Sequence, residues 1–207
     1  MTPEPYRASE DTVLLAKALE CIDGSYRLAG EIGCGIGFIT EVLASMAEEV
    51  VSSDIDVEAA RETWLRAKQR GFDWKVHVLC CDRLEAIREG EIFQLTAFNP
   101  PYLPDKEEDV ATSGGPSGVE VPLSFVESAA RRVARNGLIV LLLSSLSDWL
   151  RALKELTIKG FRTSVLCAKS VGLFEDLLVI LVLRSARERY RSLRQSHLNP
   201  NLARARL

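Results

Sequence analysis

Seven apolar, β-branched runs, separated mostly by stretches with helical spacing, restrict what this chain can fold into more than any other feature. The runs lie at about 28–32, 49–53, 75–80, 92–98, 138–143, 162–167 and 176–183. Between them, 57–69 carries charge on one side and Ala59, Ala60, Trp64 and Ala67 on the other, and 121–133 repeats apolar residues at three and four. The stretch 146–158 does the same with Leu146, Trp149, Leu150, Leu153 and Leu156. Such periodicity reads as strand and helix in alternation, the pattern of a mostly parallel sheet with helices on both faces. The last two runs are separated by only 168–175, too short for a crossover helix, so they should pair antiparallel. The expected fold class is α/β: seven strands with only the last reversed. A further helix over 11–20 precedes the first strand, with Ser9 as its N-cap.

No apolar run reaches the roughly 18 residues a membrane span needs, and the longest, 137–143, is strand-sized. The N-terminus lacks a basic segment followed by an apolar stretch, so a cytoplasmic protein is expected. Five cysteines (Cys21, Cys34, Cys80, Cys81 and Cys167) form no C-x-x-C pair, and only two histidines accompany them. Reduced core thiols are therefore expected, with no metal site within the chain. Formal net charge is −3, yet from Arg184 onward there are seven arginines and one acid, Glu188. That end carries +6, which leaves −9 on the remainder. An acidic body does not resemble a general nucleic-acid binder. We divide the chain into a domain at 1–184 and an arginine-rich tail at 185–207, read as a solvated terminus or, less simply, a grip on RNA.

In a parallel sheet, ligands bind outside the carboxyl ends of the strands, and four consecutive strands end in suggestive residues. The first runs into Glu31-Ile-Gly33-Cys-Gly35-Ile-Gly37, whose alternate glycines let backbone turn tightly and approach a ligand. A dinucleotide loop would want G-x-G-x-x-G, but Phe38 stands three after Gly35. The loop suits a ligand without phosphate whose amino-acid part lies against it. The second strand ends in Asp54-Ile55-Asp56, with Asp54 at the spacing from Gly33 that suits ribose hydroxyls and Asp56 placed to cap the next helix. Asp82-Arg83 closes the third strand, where a carboxylate can hold the exocyclic amine of adenine or, equally, cap a helix.

The fourth strand ends in Asn99-Pro100-Pro101-Tyr102. Asn-Pro starts many turns. Here the following proline holds Asn99 extended, and Pro101 has no N–H to compete for the Pro100 carbonyl. Tyr102 offers a flat surface for a planar group.

Glu31–Gly37 followed by Asp54, Asp82 and Asn99-Pro-Pro-Tyr102 resembles the Rossmann-like class I methyltransferases, specifically the amino-methylating branch. Within it the chain is similar to the HemK-type glutamine methyltransferases, in the short archaeal and eukaryotic form acting on the class-1 translation release factor. Tyr6-Arg-Ala-Ser-Glu10-Asp11-Thr12 matches that branch's Y-x-P-x-E-D-T pattern, with Ala8 in place of proline. Ser113-Gly114-Gly115-Pro-Ser-Gly118 matches its G-G-x-x-G segment, and 169–175 aligns with another, with Lys169-Ser170 where serine-arginine is usual.

The resemblance implies S-adenosylmethionine as donor, S-adenosylhomocysteine as product and the glutamine of a GGQ motif as acceptor. It implies cofactor contacts from Thr12, Glu31, Gly33, Gly35, Gly37, Asp54, Ile55, Asp82, Arg83 and Asn99. Asn99, Pro100 and Tyr102 would act on the acceptor: the Asn99 oxygen and Pro100 carbonyl accept its two N–H groups while Tyr102 packs on its plane. An exocyclic base amine of RNA or DNA suits the same clamp and is the main rival; a protein lysine is a third option. The family also covers its third-strand edge with a small zinc-binding activator protein, and 74–79 here is apolar enough to want such cover. His77 on that strand is expected as an edge side chain.

Overall fold

The computed structural model describes residues 9–104 and 112–184. The basic tail at 185–207 and residues 6–8 of the N-terminal motif lie outside the described residues. Among the described residues five helices and seven strands follow one another as α1 (Glu10–Glu20), β1 (Tyr26–Ile32), α2 (Phe38–Met46), β2 (Ala47–Asp54), α3 (Val57–Gln69), β3 (Val76–Cys80) and β4 (Phe93–Phe98). They continue as α4 (Glu120–Ala130), β5 (Val133–Ser144), α5 (Trp149–Ile158), β6 (Phe161–Val171) and β7 (Glu175–Arg184).

One sheet runs in the order β3-β2-β1-β4-β5-β7-β6, with only β7 antiparallel to its neighbours. This is the expected architecture. Because successive strand residues point to opposite faces, β5 divides its side chains between two cores. Leu138, Val140 and Leu142 join α1, α2 and α3, while Ile139, Leu141 and Leu143 join α4 and α5. Gly30 in β1 makes room for a neighbour: a Cβ there would sit 3.1 Å from the ring of Phe93, which is fully buried.

Several expected element ends move, each for a tertiary reason. Helix α4 stops at Ala130 because Arg132 is buried, its guanidinium bonded to the carbonyls of Ile87 and Ser128 and paired with Glu85, and Val133 already belongs to β5. Helix α5 starts at Trp149, where Asp148 caps the Arg151 N–H. Leu146 and Leu150 are consequently exposed, not on its core face. On α3 the buried central residue is Thr63, whereas Trp64 is exposed beneath Lys68. Ser9 does occupy the N-cap of α1, but its hydroxyl donates to Asp11 and caps no backbone N–H. Of the five thiols only Cys34 is buried; Cys80, at the end of the uncovered edge strand, is exposed. That edge is β3, as expected, with His77 on it paired to Glu49. No helix among the described residues is long and apolar enough to cross a membrane.

Replacing Phe93 by alanine should cost about 3–5 kcal/mol, because a fully buried ring leaves a cavity between β1 and α4. Calorimetric melting should fall by about 2–4 °C for each kcal/mol lost; an unchanged midpoint would contradict this packing.

Candidate active site at the carboxyl edge of the sheet

Between β1 and β4 the strand order switches direction, and a cleft of about 820 Å³ opens there beyond the strand ends. Its floor is the glycine loop after β1, where Gly33, Gly35 and Gly37 take φ values of 71°, 51° and 79° that L side chains rarely adopt. The N–H groups of Gly33 and Cys34 both donate to the Ser53 carbonyl, which fixes the loop against β2.

Asp54 is tied into this loop. One carboxylate oxygen accepts from the Gly35 N–H at 2.9 Å and the other from the Asp56 N–H at 3.0 Å. Each oxygen keeps a further lone pair for a ligand hydroxyl. Asp56 caps α3 through the Glu58 N–H, the role expected of it. Asp82 precedes no helix. Its carboxylate instead grips the Arg83 guanidinium with both oxygens, at 2.9 and 2.6 Å.

Among the residues expected to bind the cofactor, Gly33, Gly35, Asp54, Ile55, Asp82, Arg83 and Asn99 line the cleft. Glu31, Gly37 and Thr12 do not. Glu31 lies buried behind the loop and accepts from the Thr40 hydroxyl. Gly37 backs onto α3, where a Cβ would come within 3.0 Å of the Thr63 Cα. Thr12 stands on α1 and bonds Asn99.

The Asn99 segment differs from expectation in one respect. Asn99 donates its side-chain N–H groups to Asp11 Oδ2 at 3.0 Å and Thr12 Oγ1 at 3.2 Å, and its Oδ1 is buried with no partner. Pro100 is buried and Pro101 lines the cleft. Tyr102, however, turns away from the lining. Its ring packs against the core on the α1 side and its hydroxyl donates to Asp11 at 3.3 Å, because a half-buried phenol needs a partner. The aromatic ring in the cleft is Phe125 of α4, stacked edge-on against Phe98 with centroids 5.6 Å apart. Its apolar spacing had marked α4 as a core helix, so nothing in the sequence separated Phe125 from its buried neighbours.

The loop at 113–118 holds this segment in place. Leu103 exchanges backbone hydrogen bonds with Thr112 and Gly114, and a Cβ at Gly118 would lie 2.3 Å from the Tyr102 carbonyl oxygen. Only glycine allows that approach.

Burial pushes the Glu31 carboxyl up to about 8; the Thr40 hydrogen bond opposes this and the Asp54 charge adds to it. Asp11 behaves oppositely. Burial would raise it, but hydrogen bonds from Asn99, Ser9, the Thr12 N–H and Tyr102 outweigh that and hold it below the usual carboxylate range. Burial, with the Asp11 charge next, raises the Tyr102 phenol.

A glycine floor, an acid at the end of the second strand and an orphaned amide oxygen meet at the switch point, as expected of a class I methyltransferase. Comparison with known proteins agrees. The methyltransferase small domain family matches residues 9–159, and the chain belongs to that family; it is an S-adenosylmethionine-dependent methyltransferase. It is 30% identical over 186 residues to a Methanocaldococcus jannaschii protein provisionally named a protein N5-glutamine methyltransferase, covering 86% of this chain and 91% of the relative. It resembles a chain of the E. cuniculi Mtq2–Trm112 complex, described as responsible for methylation of the eRF1 translation termination factor. The TM-score is 0.71 at 29% identity, over 87% of this chain and 98% of that one. The T. thermophilus 16S rRNA methyltransferase RsmC shares the fold alone, with a TM-score of 0.66 at 22% identity over 88% of this chain and 45% of that one.

The cleft suits the donor. Asp54 has lone pairs for ribose hydroxyls, Ile55 and Phe125 supply apolar walls for a purine, and Gly35 leaves open space where a Cβ would project.

Because an unfolded glutamate ionises above its ordinary value of 4.5 and the folded Glu31 only above about 8, stability should fall as pH rises between those values. Glu31→Gln should remove this slope and melt above wild type at pH 8, by about 2–4 °C per kcal/mol recovered. Melting curves for the two proteins that stay parallel from pH 5 to 9 would rule this out.

Proposed function

We propose that the chain transfers a methyl group from S-adenosylmethionine to the side-chain amide nitrogen of a glutamine in a translation termination factor. The observation that carries this reading is the unpartnered, buried Asn99 Oδ1 at a cleft shaped for the donor. A buried acceptor without a donor costs about 1–3 kcal/mol, which an incoming N–H relieves. The relatives' names point to the same acceptor chemistry.

When bound, the donor supplies an electrophilic methyl carbon. An amide nitrogen is a weak nucleophile because its lone pair is delocalised, so the protein's task is to position it. Asn99 Oδ1 accepts one N–H of the acceptor amide, and the Pro100 carbonyl is the second acceptor in this reading. Together they fix the nitrogen in line with the methyl group. A carbon–nitrogen bond forms as the carbon–sulfur bond breaks, and the nitrogen loses a proton to solvent. Orientation of this kind supplies about 7–11 kcal/mol in favourable cases. Asp54 holds ribose hydroxyls, and Asp82 with Arg83 flanks the adenine amine. Phe125 takes the place first expected of Tyr102 as the flat surface in the cleft. We divide the chain into a methyltransferase domain at 1–184 and an arginine-rich tail at 185–207.

The bare β3 edge, with Trp74 72% exposed beside it, supports a partner that adds a strand there. In the resembling complex Mtq2 is paired with Trm112. We infer a small activator protein of the zinc-binding kind at this edge. Co-expression with such a protein should raise soluble yield, and Val78→Lys should abolish the pairing; a monodisperse, fully active chain by itself counts against it.

Labelled S-adenosylmethionine offered with release factor, tRNA and duplex DNA should mark the release factor at a glutamine. Label on a nucleic acid would establish the exocyclic-amine reading instead. Asn99→Ala should abolish transfer and leave donor affinity within a few-fold, read by calorimetry; unchanged turnover removes Asn99 from the mechanism.

A further inference from the structure

Asparagine's two side-chain ends are nearly the same shape, so packing alone does not decide which one is offered to a ligand. The surroundings of Asn99 do decide it. Its Nδ2 meets Asp11 Oδ2 and Thr12 Oγ1, both on the first turn of α1. Asp11 in turn collects donors on both oxygens. Oδ2 takes Asn99 and the Tyr102 hydroxyl, while Oδ1 takes the Thr12 N–H at 2.6 Å, the Thr12 hydroxyl at 3.3 Å and the Ser9 hydroxyl. An ionised carboxylate can only accept. The Thr12 hydroxyl lies within reach of both Asp11 and Ser9 and can turn to donate or accept, so the discrimination rests on the Asp11 carboxylate. A flipped Asn99 would press its carbonyl oxygen against that carboxylate. None of these contacts requires a bound ligand.

We propose that Asp11 is a positioning residue that fixes the polarity of Asn99, forcing the amide nitrogen toward α1 and leaving Oδ1 as the acceptor for the substrate. This rests on the reading that Asn99 accepts an N–H from the methylated amide. Tyr102 belongs to the same device: through Asp11 it links the end of the Asn-Pro-Pro-Tyr segment to the helix that orients its beginning. Asp11→Asn keeps the shape and supplies both a donor and an acceptor, so it removes the discrimination while preserving the packing.

The test has two readouts on the full chain. In protein carrying nitrogen-15 in its asparagine side chains, the Asn99 pair is identified by its loss in Asn99→Ala. In wild type these protons should be protected from solvent exchange; in Asp11→Asn and Asp11→Ala the protection should be lost. In turnover with the accepted substrate, Asp11→Asn should lower kcat by about 10-fold to 100-fold, with KM, donor affinity and melting temperature unchanged. A purely structural role would move melting and donor affinity together with kcat. Equal exchange in wild type and both variants, or wild-type kcat in Asp11→Asn, overturns the proposal. If no release factor is methylated, the function reading fails by itself, and the exchange measurement still decides the role of Asp11.

Discussion

Parallel pairing of β1 with β4, with β2 on the other flank of β1, is the constraint from which the site follows. It sets Gly30 beside Thr96 and Ile32 beside Ser53, so the chain leaves the sheet at neighbouring points after each strand. The glycine loop, Asp54 and Asn99 are then adjacent without any long side chain reaching for another. The sheet keeps that register because both its faces are buried, and a slip by one residue would exchange the two cores. Gly30 shows how tightly the pairing is set: its missing side chain is filled by Phe93 from the next strand.

Electrostatics around the loop follow the same economy of space. Glu31 is the acid near the end of β1 and Asp54 the acid that ends β2; Asp54 is held by the backbone N–H groups of Gly35 and Asp56 at the edge of the cleft, whereas Glu31 is buried. Glu31 is enclosed behind Thr40 and Ser52, and burial pushes its carboxyl up to about 8. Of these two acids only Asp54 lines the cleft. Near the other wall, Arg83 neutralises Asp82 in a bidentate pair.

Most of the sheet is legible in the amino-acid sequence because a strand segment buried on both faces must be apolar throughout, as β5 is over 138–143 and β7 over 177–183. Helix ends are less so: α4 stops where Arg132 finds Glu85 and Ile87, and α5 starts after Asp148, whose N–H donates to the Ser117 carbonyl, and local periodicity is blind to such distant partners. The cleft divides in the same way. Glycines and acids at strand ends betray themselves by spacing, so Gly33, Asp54 and Asp82 could be placed. The orientation of Tyr102 could not, since it depends on Asp11, 91 residues earlier. Phe125 was hidden for the opposite reason: a ring that lines a cavity has the same helical spacing as a ring that fills a core.

The clamp between Leu103 and residues 112–118 has an evolutionary corollary. Paired backbone groups of Leu103, Thr112 and Gly114 set the two segments side by side. A side chain at Gly114 or Gly118 would collide with the Tyr102 backbone, so descendants of this scaffold have little freedom to vary at those two positions.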